Sequence, residues 1–173
     1  MEVLSWIYSF MGGFGLLNKP TKILILGLDK AGKSTLLMQM AYNRREDLQS
    51  TTLNSTPEEL VVHNARFVAT NFGDYQHVHD VAGIILVVDV ADYQRFVQVK
   101  AELDALLATK EMHAVPIVVL GNKMDSLYAV SEEELRYELG LERICGQPIE
   151  LYMCSLDLRQ GYGEALRWLA GHV

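Results

Sequence analysis

The sequence predicts an α/β fold, in which a mostly parallel sheet carries helices on both faces. Residues 84–88 and 117–120 are aliphatic throughout, which is typical of strands covered on both sides. Longer segments with apolar residues at helical spacing alternate with such runs, as a doubly wound sheet requires. A glycine-rich loop separates the first strand from the first helix. The 173 residues, 50% of them hydrophobic, suffice for one domain whose core needs no disulfide or metal.

The first half of the chain contains four predicted elements. They are, in order, a strand at 23–26, a helix at about 33–44, a polar stretch at 47–57 and a hairpin with strands at 59–63 and 66–69. Asn64 is the predicted turn residue of the hairpin, because asparagine tolerates left-handed backbone at little cost.

The second half continues the alternation of strands and helices. Its predicted elements are a strand at 84–89, a helix at 93–108, a strand at 117–120, a helix that starts near Ser131, a strand at 149–153 and a helix at 164–170. The helix at 93–108 would bury one face made of Phe96, Val99, Leu103, Leu106 and Leu107. Ser131 with Glu134 forms a capping box, so the acidic run 132–134 indicates a helix start and not an acidic binding patch.

A complete GxxxxGK[ST] phosphate loop runs from Gly27 to Ser34 and lies between the first strand and the first helix. In that context the backbone N–H groups and the helix N-terminus converge on phosphate oxygens, Lys33 neutralises the terminal phosphates, and Ser34 reaches Mg²⁺. The predicted phosphate-binding residues are Asp29, Lys30, Ala31, Gly32, Lys33, Ser34 and Thr35. The loop therefore predicts a bound nucleoside phosphate.

The base-recognition motif NKxD follows the strand at 117–120, with Asn122, Lys123 and Asp125 at its fixed positions. The Asp125 carboxylate can accept two hydrogen bonds from the ring N–H and the exocyclic amine of guanine, whereas adenine offers no matching pair of donors on that edge. The two motifs together predict a guanine nucleotide.

Charge and cysteine content exclude some classes of protein. The formal net charge of −7 argues against a general nucleic-acid binder, so no nucleic-acid partner is predicted. Cys145 and Cys154 lie in different segments, which favours a reducing compartment and unpaired thiols over a secreted, disulfide-bonded fold. The cytosol is therefore the predicted compartment.

Residues 1–17 contain a single charged residue, Glu2, and would form a helix with a broad aromatic and aliphatic face. Such a helix suits the membrane interface, but Gly12, Gly13 and Gly15 interrupt the run that a membrane span would need. Glu2 excludes N-myristoylation, which requires glycine there. We therefore predict a membrane-inserting helix at residues 1–18 and a nucleotide-binding domain at 19–173. The alternative is a terminal helix packed against the domain's own core.

Further stretches carry a resemblance to a known family. They are the phosphate loop Gly-Leu-Asp-x-Ala-Gly-Lys and the segments at 52–60, 88–92, 115–117, 121–125, 153–155 and 159–163. The chain resembles the Arf/Sar branch of the Ras-like small GTPases over nearly its whole length. Glu58-Glu59-Leu60, Arg159-Gln160-Gly161-Tyr162-Gly163 and the aromatic N-terminus resemble the Sar type, which starts COPII coat assembly at the endoplasmic reticulum.

The resemblance implies specific roles for individual residues. Thr56 is similar to the first-switch threonine that closes over the γ-phosphate and Mg²⁺, and Ser34 to the phosphate-loop ligand of the metal. Asn122, Lys123 and Asp125 match the guanine-binding set. Cys154 and Ser155 occupy the loop that supports the base from the other side, where the backbone matters more than the thiol. The implied cofactors are GTP or GDP and Mg²⁺.

The resemblance also implies partners and a location. They are an exchange factor in the endoplasmic reticulum membrane, COPII inner-coat subunits that include a GTPase-activating protein, and membrane lipid that contacts residues 1–17. The protein would work in the cytoplasm, peripherally on the endoplasmic reticulum membrane and on Golgi-directed COPII vesicles. Ordering of the two switch loops by the γ-phosphate would control exposure of the N-terminal helix.

One segment departs from the family pattern. Where the family has Asp-x-Gly-Gly-His, this chain has Asn71-Phe72-Gly73-Asp74-Tyr75, and the stretch that follows is too short for the second-switch helix. Asn71 replaces the carboxylate that holds Mg²⁺ through water, so metal affinity should fall. Tyr75 replaces the histidine that positions the attacking water, so hydrolysis should be slow, while Gly73 would still offer its N–H to the γ-phosphate. Asp74 would repel the phosphates unless it points away or binds the metal itself.

Three functional hypotheses follow. The first is a Sar-type GTPase that hydrolyses GTP with the help of an activating protein. The second is a degenerate guanine-nucleotide-binding module with little or no hydrolysis, and the third is a phosphate-loop kinase or ATPase, which the NKxD motif argues against. A histidine displaced to His77 or His79 would replace the missing one under the first hypothesis. A metal site at those two histidines lacks the further ligands that its spacing requires.

Overall fold

The computed structural model describes residues 20–45, 59–62 and 64–173. These residues form a six-stranded sheet with helices on both faces. The strand order is β2-β3-β1-β4-β5-β6. All neighbours pair in parallel except β2 and β3, which form the predicted antiparallel hairpin. The predictions for residues 1–18 and for Thr56 lie outside the described residues.

The strands follow the predicted order. They are β1 (Thr21–Leu26), β2 (Glu59–Val62), β3 (Ala65–Ala69), β4 (Val81–Asp89), β5 (Ile117–Asn122) and β6 (Ile149–Met153). β4 begins three residues before the predicted start because its first residues pair with β1. Gly83 lies in that extension, where an added Cβ would be 2.8 Å from Cγ1 of Val173, so a larger residue there would have to displace that side chain.

The helices are α1 (Lys33–Arg45), α2 (Phe96–Ala108), α3 (Glu132–Leu139) and α4 (Tyr162–Ala170). The predicted start of α2 at Tyr93 is a 3₁₀ turn, Tyr93–Arg95, that leads into the helix. Ser131 caps α3 as predicted, since its side chain accepts a hydrogen bond from the backbone N–H of Glu134. None of the helices in the described ranges has both the length and the apolar character that crossing a membrane requires.

The hydrophobic core lies on the two faces of the sheet. Successive residues of β1 alternate between the faces: Ile23 and Ile25 pack with α1 and α4, while Leu24 and Leu26 pack with α2 and α3. All four side chains are fully buried. The predicted buried face of α2 is present, with Leu107 only partly buried. This arrangement leaves the carboxyl ends of the parallel strands at one edge, where α/β proteins bind their ligands.

The connection between β3 and β4 is short. Between Thr70 and Asp80 the structure contains one 3₁₀ turn, Tyr75–His77, and no α-helix. The shortened second-switch region that the sequence predicts is therefore a compact turn.

Candidate nucleotide-binding site

The phosphate loop lies at the carboxyl end of β1 and leads directly into α1. Lys30 adopts a left-handed backbone with φ of 62°, and Gly32 has φ of 116°. A Cβ at Gly32 would lie 2.4 Å from Nδ2 of Asn122, so only glycine fits between the loop and β5. The first N–H groups of α1 have no partner within the helix and point toward the loop. The loop therefore has the geometry of an anion-binding site.

Lys33 is held by its own loop. Its Nζ donates hydrogen bonds to the carbonyl oxygens of Gly27 and Leu28, each at 2.8 Å. Burial lowers the pKa of Lys33 from its ordinary value. An ammonium group has three donors, so one remains for a phosphate oxygen after these two carbonyls are satisfied.

A cleft of about 450 Å³ opens beside the phosphate loop. It forms because β1 and β3 are parallel neighbours, and the chain after β3 stays beside β1 through a bond from Thr70 N to Ile25 O of 3.0 Å. One wall is the phosphate loop and the other is the segment after β3; the lining residues are Asp29, Lys30, Lys33, Ser34, Ala69, Thr70, Asn71 and Asp74. The two lysines make this cleft suitable for phosphate.

The same cleft contains donors that fit Mg²⁺. Ser34 contributes a hydroxyl, Asn71 an amide oxygen and Asp74 a carboxylate, all from the lining. Hard oxygen donors of this kind, few in number and supplemented by phosphate oxygens and water, are what Mg²⁺ takes in proteins. The residues present therefore fit the ion.

Gly73 and Tyr75, the other predicted switch residues, do not line this cleft. Gly73 is exposed at φ of 89°. Tyr75 is 6% exposed and packs in the core beneath β4 and α2. This placement differs from the expected position of Tyr75 beside the triphosphate, because a large ring gains more from burial than from solvent.

His77 and His79 are both exposed. Within the described part of the chain, no three His, Cys, Asp or Glu side chains group closely enough to hold a metal ion. The alternative metal site at these histidines therefore gains no support from the residues the structure describes. Lys22 donates to the carbonyl oxygen of His79 at 2.6 Å, which fastens this loop to β1.

Asn122 joins the two halves of the site. Its side chain is 4% exposed; Nδ2 donates to the carbonyl oxygen of Ala31 at 2.8 Å, and Oδ1 accepts from the N–H of Leu156 at 3.0 Å. The NKxD motif assigned Asn122 to guanine, whereas its side chain here braces the phosphate loop against the loop after β6. Sequence reasoning missed this contact, for which the only signal was the position of Asn122 at the end of a buried strand.

Lys123 and Asp125 come directly after β5 and lie at the same edge of the sheet as Asn122, closer to solvent. Lys123 forms an ion pair with Asp89 at the end of β4, 2.5 Å between Nζ and Oδ2, and the other Asp89 oxygen accepts from the N–H of Ala91. Asp125 is exposed and makes no ion pair within the described residues. The Asp89 contact was also missed from sequence, where Asp89 served only as a family marker.

The loop after β6 is fixed by its backbone. The N–H of Met124 donates to the carbonyl oxygen of Cys154 at 3.0 Å, which ties this loop to the NKxD loop. Ser155 and Gln160 exchange two backbone hydrogen bonds, and the buried Ser155 hydroxyl accepts from the N–H of Leu158. Burial raises the pKa of the Cys154 thiol to about 12. The thiol is therefore neutral in the folded chain near pH 7.

Asp29 in the phosphate loop forms an ion pair with Arg95, a residue outside both the phosphate loop and the NKxD motif. Its Oδ1 lies 2.6 Å from Nη2 of Arg95, just before α2. The hydrogen bond and the positive charge of Arg95 lower the pKa of Asp29 from its ordinary value. The ion pair with Arg95 therefore offsets the negative charge of Asp29, which would otherwise repel a phosphate bound in the cleft.

Comparisons with known proteins agree with this geometry. The profile of the ADP-ribosylation factor family matches residues 7–173. The chain is 32% identical to the small COPII coat GTPase SAR1 of Giardia intestinalis, with 97% of each chain covered, and 30% identical to that of Nicotiana tabacum over 100% of both. It is 33% identical to ADP-ribosylation factor K of Dictyostelium discoideum, over 90% of this chain and 87% of the relative.

Proposed function

The chain belongs to the ADP-ribosylation factor family of small GTPases, and from that premise we propose that it is a guanine-nucleotide switch of the Sar type. The observation that carries the proposal is the Asn122 brace. It joins the phosphate loop to the NKxD strand and to the loop after β6, so that the phosphate-binding and base-binding parts form one site. The relatives named as COPII coat GTPases support the Sar assignment.

In this proposal the backbone of residues 29–35 and the Lys33 ammonium bind the phosphates. Asp125 selects guanine by accepting two hydrogen bonds. Lys123 belongs to the same guanine-binding set, and its ion pair with Asp89 fixes its position. The backbone of Cys154 and Ser155 supports the base from the other side. Asn122 acts through the loops that it holds together.

We assign Mg²⁺ binding to Ser34, with Thr56 of the first switch and the segment at Asn71. The ion, when bound, would neutralise negative charge on the phosphates. Ser34 and Asn71 line the same cleft, which supports this assignment.

The cellular role that we propose is based on the relatives named as COPII coat GTPases. As a small COPII coat GTPase this chain would be activated by an exchange factor at the endoplasmic reticulum and would insert residues 1–17 into that membrane in its GTP form. It would then recruit inner-coat subunits, one of which stimulates hydrolysis. The aromatic and aliphatic content of the first 17 residues supports membrane insertion.

A second candidate is a guanine-nucleotide-binding module that hydrolyses GTP little or not at all. The observation in its favour is that Tyr75, in the position of the water-positioning histidine, is buried away from the cleft, whose described lining contains no histidine. Without such a side chain, hydrolysis would depend on residues that an activating protein supplies.

Nucleotide binding is tested with a fluorescent GDP analogue. We expect the full chain to bind it and to prefer GTP over ATP as competitor. Asp125→Asn should weaken GTP binding and admit xanthosine triphosphate, because the amide can donate to the carbonyl that replaces the exocyclic amine. Glu133→Gln, at an exposed carboxylate on α3, is the matched control. Equal competition by ATP, or unchanged GTP affinity in Asp125→Asn, would overturn guanine recognition.

Phosphate release separates the two candidates. The chain is preloaded with GTP and Mg²⁺, and release is followed with and without a coat GTPase-activating protein of a Sar-type relative. Acceleration by the activator indicates a working switch. Tight GTP binding with no release under either condition indicates the binding module.

Membrane insertion is tested by flotation with liposomes that contain anionic lipid. We expect the chain loaded with a non-hydrolysable GTP analogue to float, and the GDP form and a chain without residues 1–17 to remain in solution. The truncated chain must bind nucleotide as tightly as the full chain, which serves as the control. Equal flotation of the truncated chain would contradict the assignment.

A further inference from the structure

The turn after β3 packs against the core through two aromatic side chains. It reverses direction at Gly73, whose φ is 89°, and the N–H of Asp74 donates to the carbonyl oxygen of Asn71 at 3.3 Å. Phe72 and Tyr75 pack into the hydrophobic cluster beneath β4. The two aromatic side chains therefore point inward, while Asn71 and Asp74 remain at the cleft.

Asp74 is placed at the cleft with a carboxylate that the fold does not use. It lines the same cleft as Ser34 and Asn71. Although Asp74 occupies the N-cap of the Tyr75–His77 turn, its side chain makes no capping hydrogen bond. Within the described residues it takes part in no ion pair, in contrast to Asp29 on the opposite wall, which is paired with Arg95.

An unpaired carboxylate in a phosphate cleft is unfavourable unless a cation lies between the two anions. Two negative charges repel each other, and the repulsion is stronger where the protein excludes solvent. A divalent cation reverses the sign of this interaction. Asn71, the residue that the family resemblance aligns with the metal-holding carboxylate, offers only a neutral amide oxygen.

We propose that Asp74 is the anionic anchor of the divalent cation in this chain, supplying from the fourth residue of the turn the carboxylate that Asn71 lacks. The inference rests on the proposed guanine-nucleotide function and deepens it. The ligand is Mg²⁺ bound together with a nucleoside di- or triphosphate, and Ser34, which lines the same cleft, would supply a hydroxyl oxygen. Metal affinity is thereby retained although the amide at position 71 cannot provide it.

The test is the release of a fluorescent GDP analogue from the full chain, measured across Mg²⁺ concentrations and in excess EDTA. In the wild type Mg²⁺ should slow release strongly. In Asp74→Asn, the Mg²⁺ concentration for half-maximal slowing should rise about 10-fold or more, the loss expected when a carboxylate that holds a metal is removed. Release in EDTA should be unchanged or slower, because the variant also removes a repulsive charge.

Two further variants separate a metal role from a role in the turn. Asp74→Glu retains the charge and should keep most of the Mg²⁺ effect, and Asn71→Asp added to Asp74→Asn should restore it. Asp80→Asn is the matched control, since Asp80 is an exposed acid of the same loop that does not line the cleft. It also has a left-handed φ of 59°, which asparagine tolerates.

The outcomes distinguish the inference from the function on which it rests. If the wild type binds no guanine nucleotide, the proposed function fails. If it binds nucleotide and responds to Mg²⁺, but Asp74→Asn behaves like Asp80→Asn, the anchor is overturned while the function stands. Equal acceleration of release in Mg²⁺ and in EDTA would assign Asp74 to the turn and would likewise overturn the proposal.

Discussion

Asn122 donates a hydrogen bond of 2.8 Å to the carbonyl oxygen of Ala31, a residue 91 positions earlier in the chain. The bond connects the end of β5 to the phosphate loop and is buried. A motif that is usually considered a base-recognition element therefore also contacts the phosphate loop directly in this chain.

The hydrogen bond between Asn122 and Ala31 leads to a prediction that can be tested without nucleotide. Asn122→Ala would leave the buried Ala31 carbonyl and the buried Leu156 N–H without partners, and each loss should lower the free energy of unfolding by about 1–3 kcal/mol. Urea denaturation without nucleotide measures the effect. Asp125→Asn, at an exposed position, should leave this free energy unchanged. Equal stability of Asn122→Ala and the wild type would show that water replaces the brace.

The burial of Tyr75 leads to a prediction about hydrolysis. Because the ring packs in the core and does not line the cleft, Tyr75→Phe should keep the rate of phosphate release, and Tyr75→His should not raise it. Tyr75→Ala should lower the free energy of unfolding by about 3 kcal/mol through the cavity it leaves. Single-turnover hydrolysis and urea denaturation of the three variants test this. Faster hydrolysis in Tyr75→His would place the side chain at the cleft after all.

Gly161 lies in the loop after β6, where it packs closely against backbone atoms. Gly146, which has a similar backbone φ but open surroundings, provides a comparison. A Cβ at Gly161, where φ is 83°, would lie 2.3 Å from the carbonyl oxygen of Met153, whereas at Gly146, where φ is 81°, no atom lies within 4 Å. Both Gly→Ala variants share the strain of left-handed backbone, about 1–3 kcal/mol. Gly161→Ala should lose at least about 1 kcal/mol more through overlap with backbone. Thermal denaturation compares them, and equal losses would show that the loop shifts freely.

Much of the fold was predictable because its signals are local. β6 has the predicted bounds, since Ile149 to Met153 form a short segment, apolar except for Glu150, directly after Pro148. The start of α4 was predicted two residues late because Gly163 argues against helix in isolation. In the structure Tyr162 and Gly163 are both buried, so tertiary packing overrides the weak propensity of glycine.

In the candidate site, too, the features with a local sequence pattern were predictable and the long-range contacts were not. The phosphate loop and NKxD could be read from sequence because their spacing is fixed by local backbone geometry. The contacts of Asn122 with Ala31 and of Lys123 with Asp89 join residues far apart in sequence, and no local pattern encodes them. The inward position of Tyr75 was missed for a related reason: an aromatic residue in a short polar loop is compatible with either side until the neighbouring strands are in place.

The last prediction concerns Cys154 and depends on pH. Burial raises the pKa of its thiol from 9.0 to about 12, so the folded state keeps the thiol protonated at pH values where the unfolded chain ionises. Its contribution to stability is therefore complete below pH 9 and is lost as the pH rises toward 12. Unfolding by urea at pH 8 to 11 should become easier for the wild type, and this pH dependence should be smaller in Cys154→Ala.

Cys145, which is exposed, supplies the control for Cys154. Cys145→Ala should retain the pH dependence of the wild type, because it leaves the buried thiol in place. Iodoacetamide at pH 8 should modify Cys145 alone in the folded chain and both residues in urea, as mass spectrometry would show. Modification of Cys154 in the folded chain at a rate similar to Cys145 would mean that the loop after β6 opens readily. The backbone support that we propose this loop gives to a base would then form only when the nucleotide binds.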